Sequence, residues 1–320
     1  MFNGKKILMV APERLGDTLM CTPAMHYLKH HCPYAQIYVI ALSALSADVL
    51  KNNPALQDVF ILPKFKTLLT SQHRYDFALN IHDGELARKY LEVLNLPAEH
   101  IPPVDPHIHQ AEQALQFVQK LLPGQPEIPD KRYRIFPSPA DKVYIDTLFK
   151  SYAVDLKKNI LIGIQPGCHS LAKKRFAFLR KMTHPKIWPF EHIVELAQKL
   201  YRHNPDIKIV ITGSKNEEKL GKILSRLLPN IINLINKTTV AQLYVLMKYL
   251  SVFISPDTGL MHVACSAEVP LIALFGPTQL IRTGPYPYTS HISVIQESAM
   301  ADISVDAVFN TLMQKMSGQR

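Results

Sequence analysis

Two segments of this 320-residue chain set an aspartate against a glycine where a strand gives way to a helix. In the first, the apolar run Ile7–Val10 leads through Pro12-Glu13-Arg14 into Gly16-Asp17-Thr18. In the second, Phe253-Ile254-Ser255-Pro256 leads into Asp257-Thr258-Gly259, with His262 one turn further on. Glycine lets backbone approach a phosphate closely, and a helix N-terminus offers unpaired N–H groups with a partial positive charge. A carboxylate at such a turn has two readings. It is an N-cap contributing ~1 kcal/mol, or it faces a ligand. Both stay open at this point.

The elements that must position these residues follow from the alternation of short apolar runs with amphipathic segments. Strands are expected at Ile7–Val10, Ile37–Ala41, Val59–Leu62, Phe77–Ile81, Ile160–Gln165, Ile207–Thr212, Ile231–Ile235, Val252–Ser255 and Leu271–Phe275. Helices are expected at Thr18–His30, Ala44–Asn52, Glu85–Leu94, Gln110–Leu122, Phe190–Arg202, Glu217–Leu228, Ala241–Tyr249 and Ser304–Met316. Nearly continuous apolar strands between helices mean parallel sheets covered on both faces, an α/β doubly wound architecture. The chain holds only 12 glycines, against the roughly 22 of average usage. Gly16, Gly163, Gly167, Gly213, Gly259 and Gly276 nevertheless sit at carboxyl ends of expected strands, where doubly wound sheets bind ligands. A proline-rich stretch from about residue 96 to 139 interrupts the alternation. The chain therefore reads as two domains, 1–154 and 155–320, with a last helix that could pack back on the first.

Composition narrows the partners. With 47% hydrophobic residues the chain is neither collagenous nor disordered. A net charge of +10 favours an anionic partner such as nucleic acid, phosphorylated lipid or nucleotide. Four dispersed cysteines without a C-x-x-C pair read as reduced thiols. An N-terminal apolar run that fails at Glu13-Arg14, and no stretch of ~20 apolar residues, point to a cytoplasmic chain. Neither a G-x-G-x-x-G nor a G-x-x-x-x-G-K-[ST] motif occurs. His26, His30, His31 and Cys32 lack a completing carboxylate for a metal, and Asp105-Pro106-His107-Ile108-His109 is set aside likewise, leaving His109 as a candidate acceptor contact. No G-x-S-x-G anchors a serine nucleophile. Trp188, beside Pro189, reads as core.

Residues Ile7–Pro23 and Ile254–Thr278 closely resemble the two signature regions of the lipopolysaccharide heptosyltransferases, glycosyltransferase family 9. Weaker matches lie at Ile164-Gln165-Pro166-Gly167, at Lys186-Ile187-Trp188-Pro189 and at Thr212-Gly213-Ser214 with Glu217-Glu218. The resemblance implies a GT-B arrangement, two Rossmann-like domains facing across a cleft, the first for acceptor and the second for nucleotide sugar. It implies inverting transfer of heptose from ADP-heptose to the lipopolysaccharide core (Kdo/heptose-lipid A), with no cofactor and no metal. No two aspartates are spaced as D-x-D, the pair through which a metal would hold a diphosphate.

Carried over residue by residue, the resemblance makes Asp17 the general base and Lys186 the cation on the departing diphosphate. Thr258 and Gly259 would cradle phosphates with backbone N–H groups, and Gly167 would line the same rim. Asp257 would hold donor-sugar hydroxyls, His262 would reach the diphosphate, Glu217 the ribose and Thr238 the adenine. The chain departs from the common pattern at Cys168–Ile187, a basic insertion in which Lys173 and Lys174 rival Lys186. Together with Arg14, Lys64, Lys66 and Arg74, basic residues could meet an acidic acceptor or the anionic inner-membrane leaflet, at about 1 kcal/mol per charge. Two alternatives stand beside this reading: a relative using another nucleotide sugar, and a basic nucleic-acid-binding protein. The latter is disfavoured because basic residues interleave with aromatics only around Lys173–Phe178.

Overall fold

The computed structural model describes residues 2–61, 75–128, 130–167 and 185–317. Contacts divide the chain into two compact units. The first is Met1–Phe136 with Ile281–Tyr286, the second Pro137–Leu280 with Pro287–Arg320.

The first unit alternates strand and helix: β1 (Lys6–Ala11), α1 (Leu15–His31), β2 (Gln36–Ala41), α2 (Ala44–Leu50), β3 (Asp58–Ile61), β4 (Phe77–Asn80), α3 (Glu85–Leu94), β5 (Ala98–His100) and α4 (Gln110–Leu121). Its sheet is parallel with order β3-β2-β1-β4-β5. Ile7 lies opposite Ile37 on one side and Phe77 on the other. Residues Ile7 to Ala11 are fully buried, as a central strand covered on both faces requires. In α3 the buried Ala87, Tyr90, Leu91 and Leu94 recur at helical spacing and join Leu8, Val10 and Ile40 in the core.

Helix α1 runs 17 residues despite Pro23 in its interior. Proline lacks the N–H that would serve the Leu19 carbonyl. The neighbouring Thr22 hydroxyl takes that carbonyl instead, at 2.7 Å. The same hydroxyl accepts the Arg134 N–H at 3.1 Å, tying the proline-rich stretch to the helix.

The second unit contains α5 (Pro139–Ser151), β6 (Ile160–Ile164), α6 (Phe190–His203), β7 (Ile207–Ile211), α7 (Glu218–Leu227), β8 (Ile232–Asn233), α8 (Val240–Met247), β9 (Val252–Pro256), α9 (Gly259–Ala267), β10 (Leu271–Phe275), β11 (Ile292–Gln296) and α11 (Val305–Ser317). The one-turn helix α10 (Leu280–Thr283) precedes the segment shared with the first unit. Its six parallel strands are ordered β11-β10-β9-β6-β7-β8. Ile193, Leu196, Ala197 and Leu200 of α6 cover this sheet at the expected spacing, and Trp188 is buried, its indole N–H donating to the Ile303 carbonyl at 2.9 Å.

The α/β architecture of two doubly wound parallel sheets is as expected, but the division differs from 154/155. Helix α5 lies wholly in the second unit. It opens on a Ser138–Asp141 capping box with Pro139 in its first turn. Phe149 meets Tyr249 edge-on, and Tyr144 and Tyr152 donate to the Lys237 and Asn233 carbonyls. These partners are all remote in sequence, so the run of prolines alone misplaced the boundary. Helix α11 likewise belongs to the second unit. Val305, Val308 and Leu312 enter the second core, and Lys199 pairs with Asp306. The returning segment is 281–286. Arg282, 7% exposed, donates to the Asp105 and Ile108 carbonyls and to Gln113, while the Tyr286 hydroxyl donates to Glu112 at 2.7 Å.

Candidate active site

In a doubly wound sheet, strand order reverses where two neighbouring strands send their chains off in opposite directions, opening a crevice at the carboxyl edge. In the first sheet this point lies between β1 and β4, and in the second between β6 and β9. Both Gly–Asp turns fall there.

At the first, Arg14 is the N-cap of α1, with an extended backbone and no side-chain cap bond. The Thr18 hydroxyl lies within reach of the Pro12 and Arg14 carbonyls, at 3.0 and 2.9 Å, which holds the turn. Asp17 is the third helical residue, so the N-cap reading does not apply to it. Its side chain is 25% exposed, and Oδ2 lies 3.9 Å from Nε2 of His82, the second residue beyond β4. Burial lowers the His82 pKa; Asp17 and Asp83 oppose this, while Arg282 and Arg14 reinforce it. One turn along α1, burial pushes the Cys21 thiol far up, so it stays protonated.

At the second crevice Thr258 is the N-cap of α9, again extended and without a side-chain cap bond. Its hydroxyl is spent on Gln165 Oε1, 2.5 Å away, and Ser255 donates to the same oxygen at 3.3 Å. The side chain that would ordinarily cap the helix is therefore turned aside from its first N–H groups. Asp257 is not the cap. Its carboxylate, 6% exposed, accepts from Lys186 Nζ at 2.6 Å, and Lys186 also reaches the Asp257 carbonyl at 3.4 Å. The lysine is 38% exposed, so one cation is fixed at the mouth of the crevice yet open to a ligand. His262 is buried in the first turn and a half of α9, and Gly167 is buried at the end of the β6 loop. Gly276 closes β10 against the Pro185 carbonyl, where a Cβ would come within 2.9 Å.

Glu217 and His109 already hold hydrogen-bond partners. Glu217, 2% exposed, accepts from both the amide and the hydroxyl of Ser214 through Oε2, which makes it half of a capping box. Thr238 is half-buried, one residue before Thr239, the N-cap of α8. His109 caps α4 by accepting the Ala111 N–H at Nδ1, its Nε2 donates to the Gly284 carbonyl, and its ring stacks on Tyr286. Both nitrogens being used, His109 fastens the 281–286 segment. Arg14, the N-cap of α1, is exposed. Lys64, Lys66, Arg74, Lys173 and Lys174 lie outside the described residues. Among the described residues no group of three or more His, Cys, Asp or Glu is arranged to hold a metal ion.

Sequence reasoning missed His82 and Arg282. His82 carried a usable signal, since it directly follows an expected strand on the side where ligands bind. Arg282 carried none, because its partners, two backbone carbonyls and the Gln113 side chain, lie far away in sequence.

A family model for glycosyltransferase family 9 (heptosyltransferase) matches residues 144–312. The chain is 28% identical to lipooligosaccharide heptosyltransferase 2 of Haemophilus influenzae, across 87% of this chain and 85% of that one. Among solved structures, a glycosyltransferase family 9 protein from Veillonella parvula superposes with a TM-score of 0.83 at 18% identity, covering 99% of this chain and 98% of that one. The ADP-heptose lps heptosyltransferase II of E. coli gives 0.78 at 21% identity, covering 98% and 99%. The match spans more than half of the chain and includes the crevice built by Lys186, Asp257 and Thr258: the chain belongs to glycosyltransferase family 9, the heptosyltransferases, and is a glycosyltransferase.

Proposed function

We propose that the chain transfers heptose from ADP-heptose to a lipopolysaccharide core, with inversion at the anomeric carbon and without a metal. Its relatives are heptosyltransferases of lipooligosaccharide and lipopolysaccharide, which supports heptose as the sugar and a lipo(oligo)saccharide as the acceptor. The observation that carries the donor half is the Lys186–Asp257 pair at the uncapped N-terminus of α9. A diphosphate leaving group gathers negative charge as its bond to the sugar breaks. A lysine and aligned N–H groups at Thr258 and Gly259 offset that charge at the position where a metal would otherwise stand. Asp257 holds Lys186 in place and, with its backbone at the rim, lines the sugar subsite beside Gly167 and His262. Thr238 remains the adenine-side candidate.

The acceptor half rests on Asp17. Inversion needs one displacement, in which a base takes the acceptor hydroxyl proton as its oxygen attacks the anomeric carbon. A partly exposed carboxylate in the first turn of α1, with the exposed Arg14 at the helix N-cap, suits that task and an acidic acceptor. The first unit would then bind acceptor and the second nucleotide sugar, at the cytoplasmic face of the membrane where a lipid-anchored acceptor is met. None of the helices among the described residues is long and apolar enough to cross a membrane.

Asp17→Asn tests the base. ADP release from ADP-heptose with acceptor present should fall by roughly 10²–10⁴-fold, while ADP affinity stays within a few-fold. Undiminished transfer would remove Asp17 from this role. Thermal shift with ADP, GDP and UDP tests the donor; a preference for UDP would sink the ADP-heptose assignment and favour another nucleotide sugar.

A further inference from the structure

His82 stands in the first crevice without a part in the scheme above. It follows β4 by two residues, its side chain is 19% exposed, and Nε2 faces Asp17 Oδ2 at 3.9 Å. The turn that carries it is tight, with the Gly84 N–H donating to the His82 carbonyl at 2.8 Å. A Cβ at Gly84 would sit 3.3 Å from His82 Nδ1, so glycine there leaves the ring its room. On the other side Asp83 is held by Arg88, which keeps that carboxylate from competing for the imidazole.

We infer that His82 is a positioning residue for the base, donating from Nε2 to Oδ2 of Asp17 so that Oδ1 is presented to the acceptor hydroxyl. This rests on the reading of Asp17 as that base. The 3.9 Å separation is longer than a hydrogen bond, as catalytic contacts often are before substrate closes the site. The proton balance is simple. The acceptor O–H bond breaks with its proton going to Asp17 Oδ1, and the oxygen's electron pair forms the bond to the anomeric carbon. The bond from that carbon to the diphosphate oxygen breaks, and its pair leaves on ADP. His82 keeps its own proton throughout.

The charges facing the imidazole make it sensitive to acid. Asp17 from α1 and Asp83 from its own loop favour the protonated ring; burial disfavours it, as do Arg282 from the 281–286 segment and Arg14 from the α1 cap. The balance lies below the ordinary value of 6.5, so the ring is neutral at neutral pH. Once protonated it would pair with Asp17 as an ion and weaken that carboxylate as a base. Activity should therefore rise with pH through the His82 titration.

The test is the pH–rate profile for ADP release from ADP-heptose with acceptor, in the full chain and in His82→Gln and His82→Ala. Glutamine can donate as histidine does but cannot titrate. His82→Ala should lose kcat by roughly ten- to hundredfold with KM nearly unchanged. His82→Gln should recover most of that loss, and its acid limb should move to lower pH, because glutamine does not titrate. A glutamine variant with the wild-type acid limb would overturn the inference, as would an alanine variant with wild-type kcat. Transfer surviving in Asp17→Asn would instead overturn the base reading, so the two failures are told apart.

Discussion

Gly276→Ala tests whether the backbone behind Lys186 sets donor affinity. The added Cβ would lie 2.9 Å from the Pro185 carbonyl oxygen and 3.1 Å from both the backbone nitrogen and Cγ of Met300. Two of these three atoms are backbone, so a rotamer change relieves only the third. Unstrained C···O contacts begin near ~3.3 Å, which requires Pro185 to retreat by roughly 0.4 Å. Overpacking of this kind costs about 1–3 kcal/mol of stability. The retreat also moves Lys186, the next residue, whose Nζ sits 2.6 Å from Asp257. A displacement of about 1 Å remote from the chemistry can cost about hundredfold, so a fraction of it should weaken ADP binding by roughly tenfold, or about 1.4 kcal/mol. Gly163→Ala is the control. Its Cβ would strike Leu250 Cδ1 at 2.5 Å and Phe253 Cδ2 at 2.6 Å, inside the sheet rather than at its edge. Titration calorimetry with ADP, run beside urea unfolding, should show both variants destabilised and only Gly276→Ala impaired in binding. Equal ADP affinity in Gly276→Ala and wild type would refute the coupling through Pro185, as would losses of affinity that merely track stability in both.

Two further perturbations address the first unit. Thr22→Val should orphan the Leu19 carbonyl and the Arg134 N–H, at about 2–4 kcal/mol for the two; adding Pro23→Ala restores a backbone partner to Leu19 and should recover part of the lost melting temperature. A Thr22→Val chain as stable as wild type would show that the hydroxyl does not substitute for the missing N–H. His109 must be neutral to accept the Ala111 N–H, and burial chiefly holds its pKa below 6.5, with Arg282 acting the same way against the Gly284 carbonyl and Glu112. Below about 6.5 the unfolded chain binds the proton more readily, so this contribution is complete above that value and is lost as pH falls toward the folded pKa. Hydrogen exchange across 281–286 should accelerate at about pH 5 beyond the intrinsic rate, and His109→Gln should remove that dependence.

Most of the architecture was legible from period and punctuation. Leu271–Phe275 is an unbroken apolar run that became a central strand without adjustment, because burial on both faces leaves no polar alternation to confuse it. At the edges of the sheets the pattern faded. Ile231–Ile235 contributes only a two-residue strand, Ile232–Asn233, at a sheet edge, and the three-residue strand Ala98–His100 was hidden among prolines. The boundary between units was misplaced because Pro139 opens a helix rather than ending a domain. That distinction depends on Phe149 and Tyr249 meeting across the fold.

The candidate site divides in the same way. That Asp17 and Asp257 stand beside glycine at strand-to-helix turns is a property of sequence alone, since strand, turn and helix start are all local. The family followed from the same two segments. What the carboxylates do at those turns was decided by strand order. Placing β1 against β4 brings His82 to Asp17, and placing β6 against β9 brings Gln165 to Thr258. The Lys186–Asp257 pair joins residues 71 apart in the chain. The tertiary structure also sets Glu217 in a cap and His109 in a fastening, because a buried polar atom takes whichever partner the fold sets within reach. Sequence chose the chemistry available at each turn; only the parallel crossovers chose the partners that give it a direction.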